Sequence, residues 1–200
     1  GKVVVGVVSG TTITYGSIYE FNSADTEQIS MCFDPDSGKC IVAYRDQGNS
    51  SYGTCRVLTV SGTTVSMGSE VVFESANVNS TSIVYDTGVD RVLIAYNKYD
   101  SNFKGYARAG QVSGTSVAFA AAAARFDTDN TSGYDISNVI ASYDTAANKT
   151  AIFYRGNNQY LQGIVASISG TTVSYGTVAN ANSDNGINGH DATFDATANK

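Results

Sequence analysis

Residues 32–46 read CFDPDSGKCIVAYRD, and this stretch decides the fold. Phe33 and Asp34 end one apolar run, a polar turn follows, and Lys39 opens a second apolar run. Two short apolar runs around a turn of Pro, Asp, Ser and Gly are typical of a β-hairpin. The stretch therefore predicts a pair of antiparallel strands.

The same hairpin phrase recurs along the chain. It returns as VYDTGVDRVLIAYNK at residues 84–98, as SYDTAANKTAIFYRG at residues 142–156 and as TFDATANK at residues 193–200. A second hairpin phrase, Ser-Gly-Thr-Thr or Ser-Gly-Thr-Ser, begins at Ser9, Ser61, Ser113 and Ser169, at intervals of 52, 52 and 56 residues. A fixed period indicates a repeat architecture. Residues 1–200 are therefore interpreted as one repeat domain, or as an excerpt of a longer array.

Four strands are predicted in each repeat, with little room for helix. The predicted boundaries in the copy around residue 40 are strand A ending at Phe33, strand B at Lys39 to Arg45, strand C at Gly53 to Val60 and strand D at Thr63 to Phe73. The polar stretches RDQGNSSY (45–52) and SANVNSTS (75–82) are assigned to linkers.

The first hairpin is apolar on both faces. Placing Cys32 opposite Cys40 gives one face of Cys32, Cys40, Val42 and Tyr44 and another of Met31, Phe33, Ile41 and Ala43. Such a sheet must be covered on both sides, and sheets stacked around an axis meet that requirement. The fold expected is an all-β β-propeller of four-stranded antiparallel blades, with at least four blades. The alternative is a linear stack of β-units in a fibre.

The recurring aspartates are expected to serve turns. Asp34, Asp86, Asp144 and Asp195 occupy one position of the repeat. The sequence Asp-Pro-Asp-Ser-Gly at Asp34 has oxygen ligands suited to calcium, but the additional carboxylates do not recur in the other copies. An aspartate that accepts hydrogen bonds from its own turn explains the recurrence without a metal.

No catalytic, cofactor-binding or metal-binding set is predicted. Arg45 and Arg155 occupy equivalent positions, which in a propeller sialidase could bind a carboxylate, but that family's other motifs are missing, and the arginines are interpreted as strand-end surface charges. His190 and Asp191 are adjacent, and neighbouring side chains on a strand point to opposite faces. His190 is therefore interpreted as an exposed linker residue.

The aromatic residues divide into two groups. Tyr44, Tyr96 and Tyr154 recur at one inward strand position and are predicted to fill the core. The aromatic residues of the loops, which do not recur, are predicted to contact a partner: Tyr52, Tyr99, Phe103, Tyr134 and Tyr160.

The cysteines predict one cross-strand pair. Cys32 and Cys40 are expected to be direct neighbours on one face of the first hairpin, close enough for a disulfide in an oxidising setting. Two reduced thiols packed as small apolar groups are the alternative.

The net charge and the lengths of the apolar runs limit the classes of partner that the sequence predicts. The formal net charge of −6, with scattered Lys and Arg, argues against a nucleic acid partner. No apolar run approaches the roughly 20 residues that span a bilayer, and the first residues lack the pattern of a signal peptide.

The unit SGTTVSMGSEVVF, followed by a polar linker and FDPDSGKCIVAYRDQGNSSYGT, resembles repeats of virion-associated tail and fibre proteins of marine tailed phages. The resemblance implies a non-enzymatic structural or host-contacting protein, virion-bound or extracellular. Its implied partners are other virion proteins or a glycan or protein of the host surface, within a homo-oligomeric assembly. A secreted microbial carbohydrate-binding propeller and, less favoured, a propeller hydrolase are the alternatives.

Overall fold

The computed structural model describes residues 1–127, 135–156, 159–181 and 189–198, and antiparallel β-strands make up most of these residues. Within these ranges the one helical element is a single 3₁₀ turn, Gln47–Asn49. The described residues include no helix long and apolar enough to cross a bilayer. The all-β prediction is confirmed.

The strands group into four units. Unit 1 contains β1 (Lys2–Ser9) and β2 (Thr12–Glu20). Unit 2 contains β3 (Thr26–Asp34), β4 (Lys39–Asp46), β5 (Tyr52–Ser61), β6 (Thr64–Met67) and the first part of β7 (Val71–Asp86). Unit 3 contains the rest of β7, β8 (Arg91–Asp100), β9 (Asn102–Ser113), β10 (Ser116–Ala118) and β11 (Ala124–Arg125). Unit 4 contains β12 (Ser137–Asp144), β13 (Lys149–Arg155), β14 (Leu161–Ser169), β15 (Thr172–Tyr175) and β16 (Ala179–Asn180).

Units 2, 3 and 4 each pair their strands in the predicted order A, B, C and D. Strand D is interrupted: β6 pairs with one end of β5, and the start of β7 pairs with the other end. The linker predicted at residues 75–82 is wrong, because β7 runs without a break from strand D of unit 2 into strand A of unit 3. A strand that changes sheets connects the two units directly.

Apolar cores lie between successive units, because each internal sheet is apolar on both faces. Val42 and Ile94 are fully buried, as a sheet covered on both sides requires. Equivalent aromatic pairs, with ring centroids 5.2, 5.1 and 5.0 Å apart, mark the three cores: Phe21–Tyr44, Phe73–Tyr96 and Phe126–Tyr154. The prediction that Tyr44, Tyr96 and Tyr154 fill the core is confirmed.

Hydrogen bonds between strands A repeat from one interface to the next. The Ser30 hydroxyl accepts a bond from the Ile83 amide at 3.1 Å. One repeat later, the Ser82 hydroxyl accepts a bond from the Ala141 amide at 3.0 Å. Equivalent residues thus form the same bond, so unit 3 sits on unit 2 as unit 4 sits on unit 3.

A second recurring contact joins the two kinds of hairpin. Lys39, at the start of strand B in unit 2, donates to the carbonyl of Gly114 in the Ser-Gly turn of unit 3. Arg91, its equivalent, donates to the carbonyl of Gly170 in unit 4 at 3.0 Å. The two phrases that define the repeat in the sequence therefore contact one another across units.

The register predicted for the first hairpin is wrong by one residue. Asp34 pairs with Lys39 across a four-residue turn, so Cys32 lies opposite Ile41, and Phe33 opposite Cys40. A shift of one residue moves a side chain to the other face of the sheet. Cys32 accordingly packs against the core between units 2 and 3, Cys40 against the core between units 1 and 2, and both thiols are free.

Each recurring aspartate accepts hydrogen bonds from its own turn, which confirms the turn interpretation. Asp34 Oδ1 accepts from the Asp36 amide at 2.9 Å, and Asp86 Oδ1 accepts from the Gly88 amide at 2.9 Å. The corresponding bonds in the later copies are 2.8 Å long and join Asp144 to Ala146 and Asp195 to Thr197.

Candidate partner-contact cleft

The aromatic residues predicted to contact a partner from loops have different environments, and the loop assignment is wrong for Tyr52, Tyr99 and Phe103, which lie in β5, β8 and β9. Tyr99 and Phe103 pair across the β8–β9 hairpin, with ring centroids 5.6 Å apart, and Tyr99 is 56% exposed. Tyr52 is half-buried in β5, opposite Asp46. Tyr160 is half-buried, and its carbonyl accepts a hydrogen bond from Gly156. Tyr134 lies outside the described residues.

A cleft of about 350 Å³ lies beside the β8–β9 hairpin, between units 3 and 4. It brings together Phe103 and the strand-end Arg155, which are far apart in the sequence. Its lining consists of Asn79, Phe103, Asp135, Ile136, Ser137, Arg155, Gly156 and Gln159. The cleft combines an aromatic ring, amide groups and one residue of each charge.

Backbone contacts to Phe103 connect the two walls of the cleft. The Phe103 amide donates to the Asp135 carboxylate at 2.8 Å, and the Phe103 carbonyl accepts from the Ile136 amide at 2.9 Å. Because Asp135 and Ile136 lead into β12, these bonds attach the hairpin of unit 3 to the first strand of unit 4. The geometry of the cleft is therefore set by the interface between the units.

Asn97 connects two residues that line the cleft, Asn79 and Ile136, a role that the sequence did not indicate. Its side chain is fully buried, and its Oδ1 accepts from the amides of Asn79 at 3.1 Å and Ser80 at 2.7 Å. Its Nδ2 donates to the carbonyl of Ile136. One side chain thus joins β7, β8 and the segment before β12. The one signal in the sequence is that Asn97 replaces the arginine found at this position in the other two copies.

The two equivalent arginines have different partners. Arg45 forms an ion pair of 2.8 Å with Glu27 and donates to Ser51, whereas Arg155 donates to the Gln159 side chain at 2.8 Å. Both arginines are half-buried at strand ends and are less exposed than expected of surface charges. Arg155 lines the cleft and contributes a positive charge to it.

His190 and Asp191 form no catalytic pair in the described structure. Asp191 accepts from the amide of Ala192, its own neighbour, at 2.8 Å. The prediction that His190 is exposed is wrong: the residue is half-buried, and both ring nitrogens are inaccessible, without hydrogen-bond partners among the described residues.

Carboxylates gather at the turn between strands A and B of unit 2. Tyr85 of unit 3 donates to Asp36 at 2.9 Å, and burial raises the pKa of Tyr85 well above its usual range. Burial alone would raise the pKa of Asp34, but hydrogen bonds from Ser37, Tyr85 and the Asp36 amide together outweigh burial and keep that pKa below the usual value. A hydrogen bond to Asp36, together with the charge of Asp36, raises the pKa of Asp90.

These carboxylates are not arranged as metal ligands. Among residues 1–127, 135–156, 159–181 and 189–198, no group of three or more His, Cys, Asp or Glu side chains is placed to hold a metal ion. Within that part of the chain the acidic cluster is a set of turn and interface contacts.

The cysteine thiols are poor nucleophiles in this fold. Burial, followed by the proximity of Cys40, raises the pKa of Cys32 to about 12. Burial raises the pKa of Cys55 to about 12 and also raises that of Cys40. Because the thiolate is the reactive form, the observed environments favour unreactive thiols packed as apolar groups.

Comparison with known protein families, curated proteins and solved structures finds no match for this chain. The chemistry of the cleft must therefore be judged from its own residues. Phe103 offers a flat apolar surface, while Asn79, Gln159 and Arg155 offer hydrogen bonds. Such a set suits a polar polymer with apolar patches, such as a glycan or an extended peptide.

Proposed function

We propose that this chain is a non-enzymatic repeat protein of the virion-associated kind, which assembles with virion proteins or contacts a host surface outside the cell. In this proposal the four-stranded units are blades of a β-propeller, with a linear fibre stack as the alternative. The equivalent hydrogen bonds at successive interfaces support both arrangements, because both need one packing geometry used repeatedly.

The cleft between units 3 and 4 carries the proposal of host contact. Tyr99 and Phe103 pair their aromatic rings on the β8–β9 hairpin, and Arg155 lines the cleft together with Phe103 and provides a positive charge. Aromatic and arginine side chains contribute most of the binding energy at many interfaces. The proposed ligand is a host-envelope polysaccharide, which offers sugar faces for the rings and hydroxyl or acidic groups for the polar residues.

Binding to an array of bacterial surface polysaccharides tests the proposal. We expect the chain to bind a subset of these polymers, and Phe103→Ala to weaken that binding about tenfold, equivalent to about 1.4 kcal/mol. Phe33→Ala is the matched control, because Phe33 is a 57% exposed phenylalanine on strand A of unit 2 and does not line the cleft.

The array also separates the alternatives. Tight binding of short free sugars would favour a secreted carbohydrate-binding propeller, whereas binding that requires the polymer or intact cells favours host contact by a virion. No binding to any polymer or cell, or equal losses in Phe103→Ala and Phe33→Ala, would contradict host contact through this cleft. Turnover of a polysaccharide that is abolished by Asp135→Asn would favour the hydrolase.

A further inference from the structure

Unit 1 exposes an apolar sheet face on the side away from unit 2. Val4 pairs with Ile18, and Val8 pairs with Ile13, so these side chains share one face. Tyr15 lies on the same face opposite Gly6 and is 68% exposed, and Ile18 is 69% exposed. Large apolar side chains that cluster at the surface indicate a binding surface.

The central positions of the corresponding face of unit 2 pack against unit 1, whereas Val60, the equivalent of Val8, is 41% exposed. The Gly6–Tyr15 pair of unit 1 corresponds to Leu58 and Met67, which are paired in the same way in unit 2. Leu58 is buried in the core between units 1 and 2, and Met67 packs against that core. The exposed face of unit 1, made up of Val4, Gly6, Val8, Ile13, Tyr15 and Ile18, is here called the leading face.

Unit 4 exposes the face that, in the internal units, packs against the following unit. Ala151, Phe153, Gly163 and Val165 occupy the positions that Ile41, Ala43, Cys55 and Val57 occupy in unit 2, where all four are buried against unit 3. In unit 4 the same positions line an open apolar groove of about 250 Å³, and Val165 is 46% exposed. This face of Ala151, Phe153, Gly163 and Val165 is here called the trailing face.

Aromatic contacts indicate how a leading face meets a trailing face. At two internal interfaces the residue equivalent to Tyr15 packs on a phenylalanine of the preceding unit. The ring centroids are 6.4 Å apart for Phe119 on Phe73 and 6.1 Å apart for Tyr175 on Phe126.

The groove has room at the point where such a ring would dock. The amide of Ala181 donates to the Leu161 carbonyl, as the amide of Phe126 donates to the Gly105 carbonyl. Ala181 therefore occupies the phenylalanine position of the earlier units and lines the groove with a small side chain. Tyr15 is the exposed aromatic residue at the matching position of the leading face.

Residues 192–194 cover a different part of the side of unit 4 that carries the trailing face. Ala192, Thr193 and Phe194 lie beside Ser142 and Phe153, and the phrase to which they belong corresponds to strand A of the repeat. They leave the groove along β13 and β14 open. The strands β1 and β2 are strands C and D of unit 1. At the internal interfaces, strands C and D of the next unit cover the equivalent groove.

We propose that the leading face of one copy of this chain docks on the trailing face of a second copy, head to tail, as a continuation of the internal stack. The two faces differ, so the contact is heterologous and can be repeated from copy to copy. This proposal goes beyond host contact and does not depend on the cleft between units 3 and 4.

Mass measurements by light scattering and sedimentation test the docking. For the wild-type chain we expect the average mass to rise with concentration between about 1 μM and about 1 mM, a range that covers weak to moderate association. We expect Tyr15→Asp and Val165→Asp each to remain monomeric, because either variant places a buried charge in the contact. Val89→Asp, at a 37% exposed valine in the A–B turn of unit 3, is the matched control and should associate as the wild type does.

Mixing the two variants tests the direction of the contact. Tyr15→Asp retains an intact trailing face and Val165→Asp retains an intact leading face, so an equal mixture should form a dimer and stop there. Circular dichroism of each variant establishes that it is folded. A wild-type chain that stays monomeric, association that survives in either single variant, or a mixture that stays monomeric would each overturn the proposal.

Discussion

A glycine and a phenylalanine form a matched pair in three of the units. A Cβ atom added to the glycine would lie 2.2–2.4 Å from a phenylalanine ring carbon in the pairs Gly1–Phe21, Gly53–Phe73 and Gly105–Phe126. In unit 4 the corresponding residues are Leu161 and Ala181, so the large and small side chains have changed places. Close packing explains the exchange, because a core that accepts one bulky residue at this point has no room for two.

At the scale of single residues, substitution of Asp90 should change the free energy of unfolding in a way that depends on pH. Its pKa is raised by a hydrogen bond to Asp36 and by the charge of Asp36. A raised pKa means that the folded state binds the proton more tightly, so this group stabilises the fold at low pH and loses that contribution as the pH rises through the folded pKa. We therefore expect Asp90→Asn to increase the free energy of unfolding at neutral pH and to have a smaller effect at about pH 3.

Urea unfolding at both pH values measures this difference. Asp90 has a φ of 55°, which asparagine tolerates well, but that conformational gain is independent of pH and cancels when the two measurements are compared. Asp100→Asn, at an exposed position of the β8–β9 hairpin, is the control. A difference between Asp90→Asn and the wild type that does not change with pH would rule out the carboxyl contact as its cause.

At the scale of secondary-structure elements, the hairpins were predictable from the sequence, whereas the register in which their strands pair was not. The alternation of Val42 and Ile41 between two cores follows from the sequence of strand B alone. The face of Cys32 depends in addition on how many residues the turn contains. Gly38, at φ 65°, and the bonds accepted by Asp34 close a four-residue turn, whereas opposing Cys32 to Cys40 would require an odd number of turn residues.

The residues that form the candidate cleft were likewise only partly predictable from the sequence. Phe103 was predictable as an aromatic residue outside the recurring phrases, but its assignment to a loop is wrong, because Phe103 lies in β9. Asn97 was not predictable, since its importance lies in contacts with Ser80 and Ile136, and the Ile136 contact spans 39 residues. The sequence records which residue breaks the repeat, but only the packing of units 3 and 4 gives that residue a function.

Asn97→Ala tests whether one side chain holds the junction of β7, β8 and β12. The variant leaves the buried amide of Ser80 without its partner, and an unsatisfied buried group costs about 1–3 kcal/mol. With the bonds to Asn79 and Ile136 also lost, we expect the free energy of unfolding to fall by about 3 kcal/mol. Urea unfolding measures the change, with Asn49→Ala at an exposed position as the control, expected within about 0.5 kcal/mol of the wild type. Equal midpoints for Asn97→Ala and the wild type would show that the junction does not depend on this side chain.

At the scale of the whole molecule, each core that the described residues form joins two neighbouring units. The core of Phe21 and Val42 joins units 1 and 2, whereas the core of Leu93 and Ile152 joins units 3 and 4. In such an array, stability is approximately the sum of the stabilities of the units and of their nearest-neighbour interfaces. A closed propeller would also join unit 4 to unit 1, whereas a linear stack leaves the two end units apart as an open row, so the spread of a local perturbation distinguishes the two proposed arrangements. The exposed leading and trailing faces favour the open row for a single copy.

Hydrogen exchange of Ile152→Val measures that spread, with the Val165→Asp substitution added to prevent association of copies. Shortening a fully buried isoleucine costs about 1 kcal/mol, so amides of β12 to β14 should exchange about fivefold faster. Amides of β4 and β5 should keep their rates, because among the described residues the core between units 1 and 2 shares none with the altered core. Val42→Ala alters the core between units 1 and 2 instead. This variant should accelerate exchange in β1, β2 and β4 and leave exchange in β13 unchanged. If either substitution accelerates exchange equally in all four units, the molecule unfolds as one cooperative body and the open row is the wrong description of its energetics.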